Sequence, residues 1–301
     1  MTLQQLRQVL TIAESNSMNE AAKKLFVSQP NLSATVREVE EELGITVFMR
    51  NNRGITVTAE GEEFLGYAKQ VVEQYHLLEN LYLNVESKKK FSVSMQHYSF
   101  AVKAFVQLAK EVGMDEYEFA VHETKTKEVI DNVKNLKSEI GVLYLSDFNE
   151  KVLRKLFKEC DIEFKELFTC NTYVYLWKKH PLADKKVITL DDLQEYPCLT
   201  FEQGVNNSFY YAEEMMSTYE YKRVIKADDR ATMLNLMVGL NGFTLCSGII
   251  SEDLNGDDYA AIPLKESEIM HIGYIKHKGT KLSKLGEIYI DALKNYENKV
   301  L

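Results

Sequence analysis

Two short helices joined by a tight turn are predicted between residues 17 and 44, and no other part of the chain restricts the possible folds so strongly. Ser17 and Glu20 form a capping-box pattern, in which hydroxyl and carboxylate each accept a hydrogen bond from a free backbone N–H. Ser28 predicts the cap of the second helix, with Pro30 tolerated in its first turn, and Gly44 predicts its left-handed end. Local signals therefore define both helices.

The faces of the two helices are also predicted. Ala21, Ala22 and Leu25 give the first helix an apolar face, and we expect the turn after it to bury Phe26 and Val27. In the second helix, residues at helical spacing predict a buried stripe that only Glu40 interrupts: Leu32, Val36, Val39 and Leu43. The opposite face carries short polar groups and one cation: Gln29, Asn31, Ser33, Thr35 and Arg37.

Groups of this kind suit base edges and phosphates in a DNA major groove, because they both donate and accept hydrogen bonds. An ordinary helical hairpin with a solvated polar face is the alternative for this segment taken alone. A β-hairpin predicted next favours DNA binding, since residues 47–50 and 55–58 are β-prone and flank a turn at residues 51–54. Arg50 and Arg53 would lie at its tip, where phosphate can be met.

A further helix is predicted at the start of the chain, where Thr2 and Gln5 repeat the capping-box pattern. Its inward-facing positions are apolar: Leu3, Leu6, Val9, Leu10 and Ala13. Three helices followed by a hairpin make a winged helix-turn-helix.

The amino-terminal part resembles the LysR-type transcriptional regulators. The resemblance rests on the order of helices, the SQPNLS segment, Leu43-Gly44 with Phe48 and Arg50, and a T-x-x-G motif ending at Gly61. It runs without a gap from Met1 to about Tyr82, whereas the rest of the chain fits in length and order of elements. It implies base or phosphate contacts at positions that match Gln29, Pro30, Asn31, Ser33, Thr35 and Arg37.

One position departs from the family pattern, because the place of Thr35 is often held by a longer glutamine in relatives. The base preference of that position cannot therefore be carried over. The full set of residues expected to contact DNA is Met18, Asn19, Lys23, Ser28, Gln29, Pro30, Asn31, Ser33, Thr35, Arg37, Arg50 and Arg53.

Charge is distributed unevenly in this part of the chain. The whole chain has a net charge of −9, and its first 87 residues hold seven Lys or Arg against twelve Glu. The cations cluster around the helix-turn-helix and the wing: Lys23, Lys24, Arg37, Arg50 and Arg53. The local potential, rather than the net charge, is expected to meet the phosphates.

A long helix is predicted after Thr58, with glutamates in its first turn where the helix dipole favours them. Apolar residues recur at alternating intervals of four and three: Phe64, Ala68, Val71, Tyr75, Leu78, Tyr82 and Val85. This pattern is typical of a two-helix seam, and it predicts at least a dimer that addresses two inverted half-sites. A core helix within one domain is the alternative.

The chain changes character after Lys88-Lys89-Lys90. Strands at residues 91–95, 117–122 and 140–145 alternate with helices at 99–112 and 125–136, which predicts an α/β layer with a parallel sheet. A second cycle is predicted from Glu163, with strands at 164–168, 173–177, 198–201, 222–227 and 242–246, and helices at 190–194 and 230–238. A strand at 269–275 and a helix at 282–296 complete the expected pattern.

The expected architecture is therefore α/β multidomain. It comprises a winged helix-turn-helix at 1–58, a linker helix at 59–87 and an effector-binding domain at 88–301. The resemblance implies that the last part has a two-lobed periplasmic-binding-protein-like fold. Lobe I would span about 91–161 and 266–301 and lobe II about 162–265, with crossovers near Asp161 and Leu264.

In such folds a ligand sits between the lobes, at strand ends and helix N-termini. The segments after the strands supply the expected lining: Gln96, His97, Tyr98, Ser99, Glu123, Thr124, Lys125, Thr126, Tyr144, Ser146, Phe201, Gln203, Asn206, Asn207, Ser208, Cys246 and Ser247. Hydroxyls, amides and free N–H groups suit a small polar, carboxylate-bearing metabolite. Each such residue at a helix start also has a plain capping interpretation.

No enzyme class is indicated, since the sequence holds no metal-ligand spacing, no G-x-S-x-G and no Walker-type loop. No cofactor is expected. The four cysteines, Cys160, Cys170, Cys198 and Cys246, form no C-x-x-C motif, and a thiol-based redox sensor is one alternative function. With no signal sequence and no membrane-length apolar run, reduced thiols and a cytoplasmic location are expected.

The expected function is sequence-specific regulation of transcription under the control of a small effector. The expected partners are an operator with inverted-repeat half-sites, a small polar metabolite, RNA polymerase, and further copies of the chain in a homodimer or homotetramer. No membrane partner is expected. A ligand-independent architectural DNA-binding protein is the second alternative.

Overall fold

The structure, a computed structural model, describes residues 1–15, 17–51, 54–83, 89–113, 116–206 and 208–297. It divides into two compact units, Met1–Ser87 and Lys88–Leu301. No helix in these described ranges is both long enough and apolar enough to cross a membrane.

The first unit is a winged helix-turn-helix followed by a long helix. Its elements are α1 (Leu3–Ala13), α2 (Met18–Lys24), α3 (Gln29–Leu43), β1 (Phe48–Asn51), β2 (Gly54–Val57) and α4 (Ala59–Leu83). Strands β1 and β2 pair antiparallel, from Phe48 with Val57 to Asn51 with Gly54. The core gathers side chains from all of the helices and from the hairpin, with Val9, Ile12 and Leu32 fully buried.

The predicted caps are confirmed at four helix ends. Thr2 and Gln5 form the capping box of α1, and the Ser17 hydroxyl accepts a hydrogen bond from the backbone N–H of Glu20. Ser28 caps α3 by accepting from the Asn31 N–H. Gly44 ends α3 with a φ of +70°, the left-handed conformation that glycine adopts without steric cost.

The prediction that the turn buries Phe26 is wrong, because its side chain is 95 % exposed. Phe26 has a φ of +54°, its N–H bonds to the carbonyl of Lys23, and the next N–H, that of Val27, bonds to the carbonyl of Ala22. These two bonds close α2 as a Schellman motif. The left-handed residue points its side chain outward, while Val27 packs against the core.

The buried stripe of α3 is shorter than predicted. Leu32, Val36 and Val39 are buried, but Leu43 is 37 % exposed, so its assignment to the stripe is wrong. Leu43 is the last residue of the helix, beyond the part that the core covers. Glu40, which the stripe omits, has a structural role: its carboxylate accepts from the backbone N–H groups of Val47 and Phe48 and so ties α3 to the wing.

The T-x-x-G motif lies where the wing meets α4. The Thr58 hydroxyl donates to the carbonyl of Thr46 and accepts from the N–H of Gly61. A Cβ added at Gly61 would overlap the carbonyl oxygen of Val47. The motif therefore allows close approach of two backbones.

Gly61→Ala is therefore expected to lower the free energy of unfolding of the first unit by about 1–3 kcal/mol, the usual cost of overpacking. Gly239→Ala is the control, because a Cβ there meets nothing within 4 Å and alanine favours a helix. In thermal unfolding, the transition of the first unit should have a lower midpoint temperature in the Gly61 variant and an unchanged one in the Gly239 variant. An unchanged transition would contradict the close-approach explanation.

Helix α4 divides its apolar residues between two sides. Phe64 and Ala68, predicted to belong to the seam, pack instead toward α1 beside Leu6 and Val72, so that part of the prediction is wrong. On the other side Tyr67, Val71 and Leu78 are 52–55 % accessible. Tyr75 is 40 % accessible and lies under the guanidinium of Arg7 on α1, 5.3 Å from the ring centre. The Tyr82 side chain and Val85 lie outside the described residues.

The second unit begins with a five-stranded sheet of order β4-β3-β5-β12-β6. Its strands are β3 (Lys89–Met95), β4 (Tyr117–Glu123), β5 (Ile140–Leu145), β6 (Ile162–Cys170) and β12 (Met270–His277). Helices α5 (Ser99–Val112), α6 (Thr126–Lys134), α7 (Glu150–Glu159) and α11 (Lys284–Lys294) cover it. Every residue of β5 is buried, as expected for a central strand with helices on both faces.

The sheet is mixed rather than wholly parallel as predicted. Strand β3 pairs parallel with β4 and β5, but β12 runs antiparallel to both β5 and β6. The two cores lie on opposite faces, one around Phe100 and Tyr289 and the other around Leu143 and Leu153.

The second lobe contains β7 (Tyr173–Trp177), α8 (Leu190–Leu193), β8 (Cys198–Phe201), β9 (Val224–Ala227), α9 (Arg230–Leu240), β10 (Thr244–Cys246), α10 (Glu252–Asn255) and β11 (Tyr259–Pro263). Strand β7 lies between β10 and β11, and β8 pairs parallel with β9. A bridge between Cys198 and Phe243 joins the two groups of strands.

The lobe boundary near Asp161 is wrong, because β6 belongs to the first sheet, where it pairs with β12. The first crossover instead lies at Thr172, between β6 and β7. It bonds to the second crossover: the Thr172 carbonyl accepts from the N–H of Leu264, and its hydroxyl donates to the carbonyl of Glu268. The two crossovers between the lobes therefore run side by side.

Candidate functional site

The exposed side of α3 and the adjoining cations form the candidate DNA-binding surface, which we call the α3 surface. Pro30, Asn31 and Arg37 are exposed, and Gln29 and Thr35 are partly exposed. Asn19, Lys23 and Ser28 are also exposed. The Ser28 hydroxyl is the helix cap, so its first role is structural.

Two cations on this surface are free of carboxylates. Within the described ranges, neither Lys23 nor Arg37 has an Asp or Glu oxygen within 4.0 Å. Lys24 differs, because its ammonium lies 2.9 Å from Glu20. Lys23 and Arg37 are therefore the groups on α2 and α3 that can meet phosphate without first losing a salt bridge.

Two residues of the predicted DNA-binding set are buried. Met18 is 8 % exposed and packs in the core of the unit, and Ser33 is 8 % exposed with its hydroxyl accepting from the Gln29 amide at 2.8 Å. Ser33 therefore positions Gln29 rather than presenting a hydroxyl of its own. Arg53 and the side chain of Arg50 lie outside the described residues.

A second candidate site is the cleft between the lobes of the second unit. Residues 208–216, which we call the bridging segment, cross from lobe II to lobe I, and Met215 packs within the lobe I core. The segment contains Glu213 and Glu214, which are 6 % and 5 % exposed. Buried carboxylates of this kind require partners.

The partners are backbone N–H groups at strand and helix ends. Glu213 accepts from the His97 N–H at 2.9 Å and lies 2.8 Å from its Nδ1, while Glu214 accepts from the Phe201 N–H at 2.8 Å. Gln203 donates to Glu213 and accepts from the N–H of Thr126, the first residue of α6. The chain's own side chains therefore occupy donors that a bound anion would otherwise use.

Aromatic rings and an amide complete this network. The rings of His97 and Phe201 stack at 3.7 Å across the two lobes. The Gln96 side chain donates to the Thr126 hydroxyl, and its carbonyl accepts from Tyr98 and from the N–H of Tyr144. Almost all of the polar atoms at this point are paired, as a buried network requires.

Two ion pairs connect the lobes at the mouth of the cleft. Arg230, the first residue of α9, lies 2.8 Å from Glu123 at the end of β4. Lys125 lies 3.5 Å from Asp228. The structure thus has its lobes in contact on both the buried and the exposed side of the cleft.

A cavity of about 90 Å³ lies within the cleft beside this network. It is smaller than the pockets of roughly 300–1,000 Å³ that hold drug-sized ligands. Of the residues predicted to line the site, it includes His97, Tyr98, Ser99, Phe201, Cys246 and Ser247. A small molecule fits between the lobes as they stand, and a larger one requires them to open.

The other predicted lining residues lie around the cavity rather than on it. Gln96, Thr126, Tyr144 and Gln203 belong to the network, Glu123 and Lys125 to the ion pairs, and Ser146 is buried with its N–H donating to Asn149. Thr124 bonds to Glu128, while Asn206 and Ser208 precede the bridging segment or begin it. Asn207 lies outside the described residues.

Sequence reasoning missed most of the cavity wall. The missed residues are Phe100, Tyr175, Glu213, Glu214, Arg230, Met233, Leu234, Met237, Thr244, Leu245, Ile249, Ile250, Asn255 and Met270. Arg230 was detectable, since it follows the helix-start residue Asp229 after a predicted strand. The register of β7 against β10, which brings Tyr175 beside Thr244, has no local signal.

The four cysteines are held as thiols by burial. Burial raises the pKa of every one of them, to about 12 for Cys170 and Cys246. Since the thiolate is the reactive form, such groups are poor nucleophiles near neutral pH. Iodoacetamide should therefore label the native protein at pH 8 at least about a hundredfold more slowly than free cysteine. Labelling at the rate of free cysteine would contradict this account, and unfolding in urea is the control.

Comparison with known proteins decides the family. Residues 3–62 match the family described as bacterial regulatory helix-turn-helix protein, lysR family, and residues 114–297 match the LysR substrate binding domain. The second match alone covers more than half of the chain. The chain belongs to the LysR family of transcriptional regulators. Members of this family are regulators rather than enzymes.

Individual relatives agree with this assignment. The regulator BsdA of Bacillus subtilis (strain 168) is 27 % identical over 79 % of this chain and 80 % of its own length. CysL of the same organism is 24 % identical over 98 % of both chains. Each is a named HTH-type transcriptional regulator.

Solved structures show the same fold. A full-length, singly substituted OxyR from Pseudomonas aeruginosa superposes with a TM-score of 0.71 at 19 % identity, covering 98 % of this chain and 95 % of that one. LysG from Corynebacterium glutamicum with bound effector Arg gives a TM-score of 0.64 at 13 % identity, covering 100 % and 99 %. These two likenesses show the fold that this chain shares with them.

Proposed function

We propose that this LysR-type regulator binds an inverted-repeat operator as a homodimer or a dimer of dimers, under the control of a small effector in the interlobe cleft. The observation that carries the proposal is the α3 surface. It is a polar face of α3, a helix that is capped at both ends and packed on the core by its opposite side, and its cations have no described carboxylate partner. We assign base contacts to Gln29, Asn31 and Thr35.

Phosphate contacts are assigned to Lys23 and Arg37, with Asn19, Ser28 and Pro30 beside them. Arg50 and Arg53 of the wing remain in the proposed set from the sequence alone. The buried Met18 and Ser33 are kept only as positioning residues. Mutation of Asn31 to alanine should relax base preference at one position of each half-site, at a cost of about 1–3 kcal/mol.

Few cations meet phosphate in this arrangement, so operator binding should depend on salt less steeply than binding by a strongly basic protein does. Arg37→Gln is expected to reduce the slope of log K against log salt by about 1 for each half-site. Arg154→Gln, a charge change on α7, should leave the slope unchanged. Fluorescence anisotropy over a salt series measures both, and wild-type affinity insensitive to salt would contradict the proposal.

The exposed side of α4 supports the proposed dimer. Tyr67, Val71 and Leu78 are 52–55 % exposed apolar side chains along one side of a helix that already packs its other side on α1. Pairing with the same helix of a second copy would bury them. Two recognition helices would then address two half-sites.

The cleft supports effector control, since its cavity is lined by residues of both lobes. A ligand that binds one closure state more tightly shifts the equilibrium between states, and through it the geometry of DNA binding and the recruitment of RNA polymerase. A ligand-independent architectural role is the rival. We also assign the protein to the cytoplasm, because a regulator must have access to its operator DNA.

A thermal-shift screen of a metabolite library against the full chain distinguishes effector control from the ligand-independent architectural role. A ligand that binds only the native state raises the melting temperature of the second unit. The proposal expects at least one stabilising compound that also alters operator affinity. Stabilising compounds without effect on DNA binding, or none at all, would favour the architectural role.

A further inference from the structure

Glu214 is a buried carboxyl of the cleft that has backbone N–H donors but no cation beside it among the described residues. Its side chain lines the cavity and is 5 % exposed, and its carboxylate accepts from the Phe201 N–H at 2.8 Å. Among the described residues, no Lys, Arg or His nitrogen lies within 4.0 Å of it. A buried carboxyl without a cation is costly to ionise.

The other charged groups of the cavity are already paired. Glu213 has His97 and Gln203, and Arg230 has Glu123 at 2.8 Å. The titratable groups that interact with Glu214 are Glu213, Tyr98, Tyr144, Cys198 and Tyr221, none of which is a base. Burial, and then the nearby Glu213, raises the pKa of Glu214 to about 8.

Two residues of the cavity lining carry buried hydroxyls: Tyr175 has Asn255 as its polar neighbour, and the Thr244 hydroxyl has no hydrogen-bond partner in the described part of the chain. Tyr175 and Thr244 are 9 % and 7 % exposed, and they are direct register partners on β7 and β10. The lining also contains three methionine side chains, those of Met233, Met237 and Met270. The cavity thus combines a buried carboxyl with apolar side chains.

We propose that this cavity binds a small ligand with an ammonium group against Glu214 and an apolar body against the methionines. The ligand class differs from the carboxylate-bearing metabolite that the sequence suggested, because Glu213 and Glu214 occupy the anion-binding donors. This inference rests on the proposed effector site and narrows its ligand.

The pH dependence of binding follows from charge. An ammonium group favours the ionised form of Glu214, so binding must release the proton that this carboxyl holds below about pH 8. Affinity should therefore rise about tenfold for each pH unit from pH 6 toward pH 8 and then level off. A neutral ligand has no such slope.

Three probes with the same propyl body test the proposal on the full chain: propylammonium, propan-1-ol and propionate. Ligand-observed NMR titration gives their dissociation constants in wild type, Glu214→Gln and the control Glu220→Gln, which alters an exposed residue outside the cavity. We expect propylammonium to bind at least about tenfold more tightly than propionate at pH 8.5. Glu214→Gln should remove both that preference and the pH slope, whereas Glu220→Gln keeps them.

A folding control accompanies the titration. In the wild-type protein the buried Glu214 carboxyl ionises as the pH rises, which costs stability, whereas a glutamine at this position stays neutral. Glu214→Gln should therefore have a melting temperature no lower than that of the wild type at pH 8.5. Two results would overturn the ammonium proposal while retaining the cleft as the effector site. One is propionate binding as tightly as propylammonium or more tightly, and the other is propylammonium binding that is unchanged in Glu214→Gln. Binding of none of the probes would overturn the proposal, and a fruitless metabolite screen would then overturn the effector function as well.

Discussion

Leu78→Glu is expected to convert the protein to a monomer and to weaken operator binding by about a hundredfold or more. Leu78 is 55 % exposed on the outer side of α4, so a charge there costs the single chain little. Two such charges facing each other in a paired helix would repel and would remain desolvated. Loss of pairing removes the gain of about 10²–10⁴ that two linked binding sites provide.

Val71→Glu should have the same effect, since Val71 lies two helical turns before Leu78 on the same side. The matched control is Glu73→Lys, which changes charge on the opposite side of α4. Sedimentation velocity gives the oligomeric state, and anisotropy gives the operator affinity. A Leu78→Glu protein that remained a dimer with wild-type affinity would show that α4 is not the dimer seam.

Loss of the pair between His97 and Glu213 is expected to destabilise the second unit strongly. Both side chains are buried, at 6 % and 4 % exposure, and Nδ1 lies 2.8 Å from the carboxylate. His97→Phe keeps a ring to stack on Phe201 but leaves the carboxylate without its imidazole partner. We expect a loss of about 2–3 kcal/mol in the free energy of unfolding, because a buried charge without its partner is costly.

A double-mutant cycle separates pairing from other effects of the substitution. Glu213→Gln added to His97→Phe should cost less than the sum of the two single changes, because the second change removes the unpaired charge. Denaturant unfolding of the second unit measures all four proteins. Additive losses would show that the two side chains do not stabilise each other.

The first unit was largely predictable because its signals are local. Caps such as Thr2 with Gln5, and Ser28, act within three residues, so the helix starts followed from the sequence. Phe26 was misjudged because the Schellman closure of α2 is made by backbone bonds and is open to residues other than glycine. Leu43 was misjudged because apolar periodicity does not show where the core ends.

The second unit was predictable element by element but not in its assembly. The spans of α5, β5, β7 and β8 match the prediction at both ends. The amphipathic α7 was missed although Leu153 and Phe157 have helical spacing. Strand β6 went to the wrong lobe, since its partner β12 lies about a hundred residues away and no local pattern encodes that pairing.

The residues that line the cleft were likewise only partly predictable from the sequence. His97, Ser99 and Phe201 were predictable because strand ends in such folds converge. Glu213 and Glu214 were not, because acidic residues in an irregular segment are usually solvated. Their burial follows from long-range packing of Met215 into lobe I, which draws both carboxylates into the cleft.

Selection of bound sequences from a random duplex DNA library by the full-length protein tests the central claim most directly. A dimer that presents two α3 surfaces should enrich an inverted repeat whose half-site centres lie about one helical turn, or a whole multiple of it, apart. Asn31→Ala should relax the same position in both half-sites. Enrichment of a single unpaired half-site, or of no sequence at all, would contradict a paired, sequence-reading regulator.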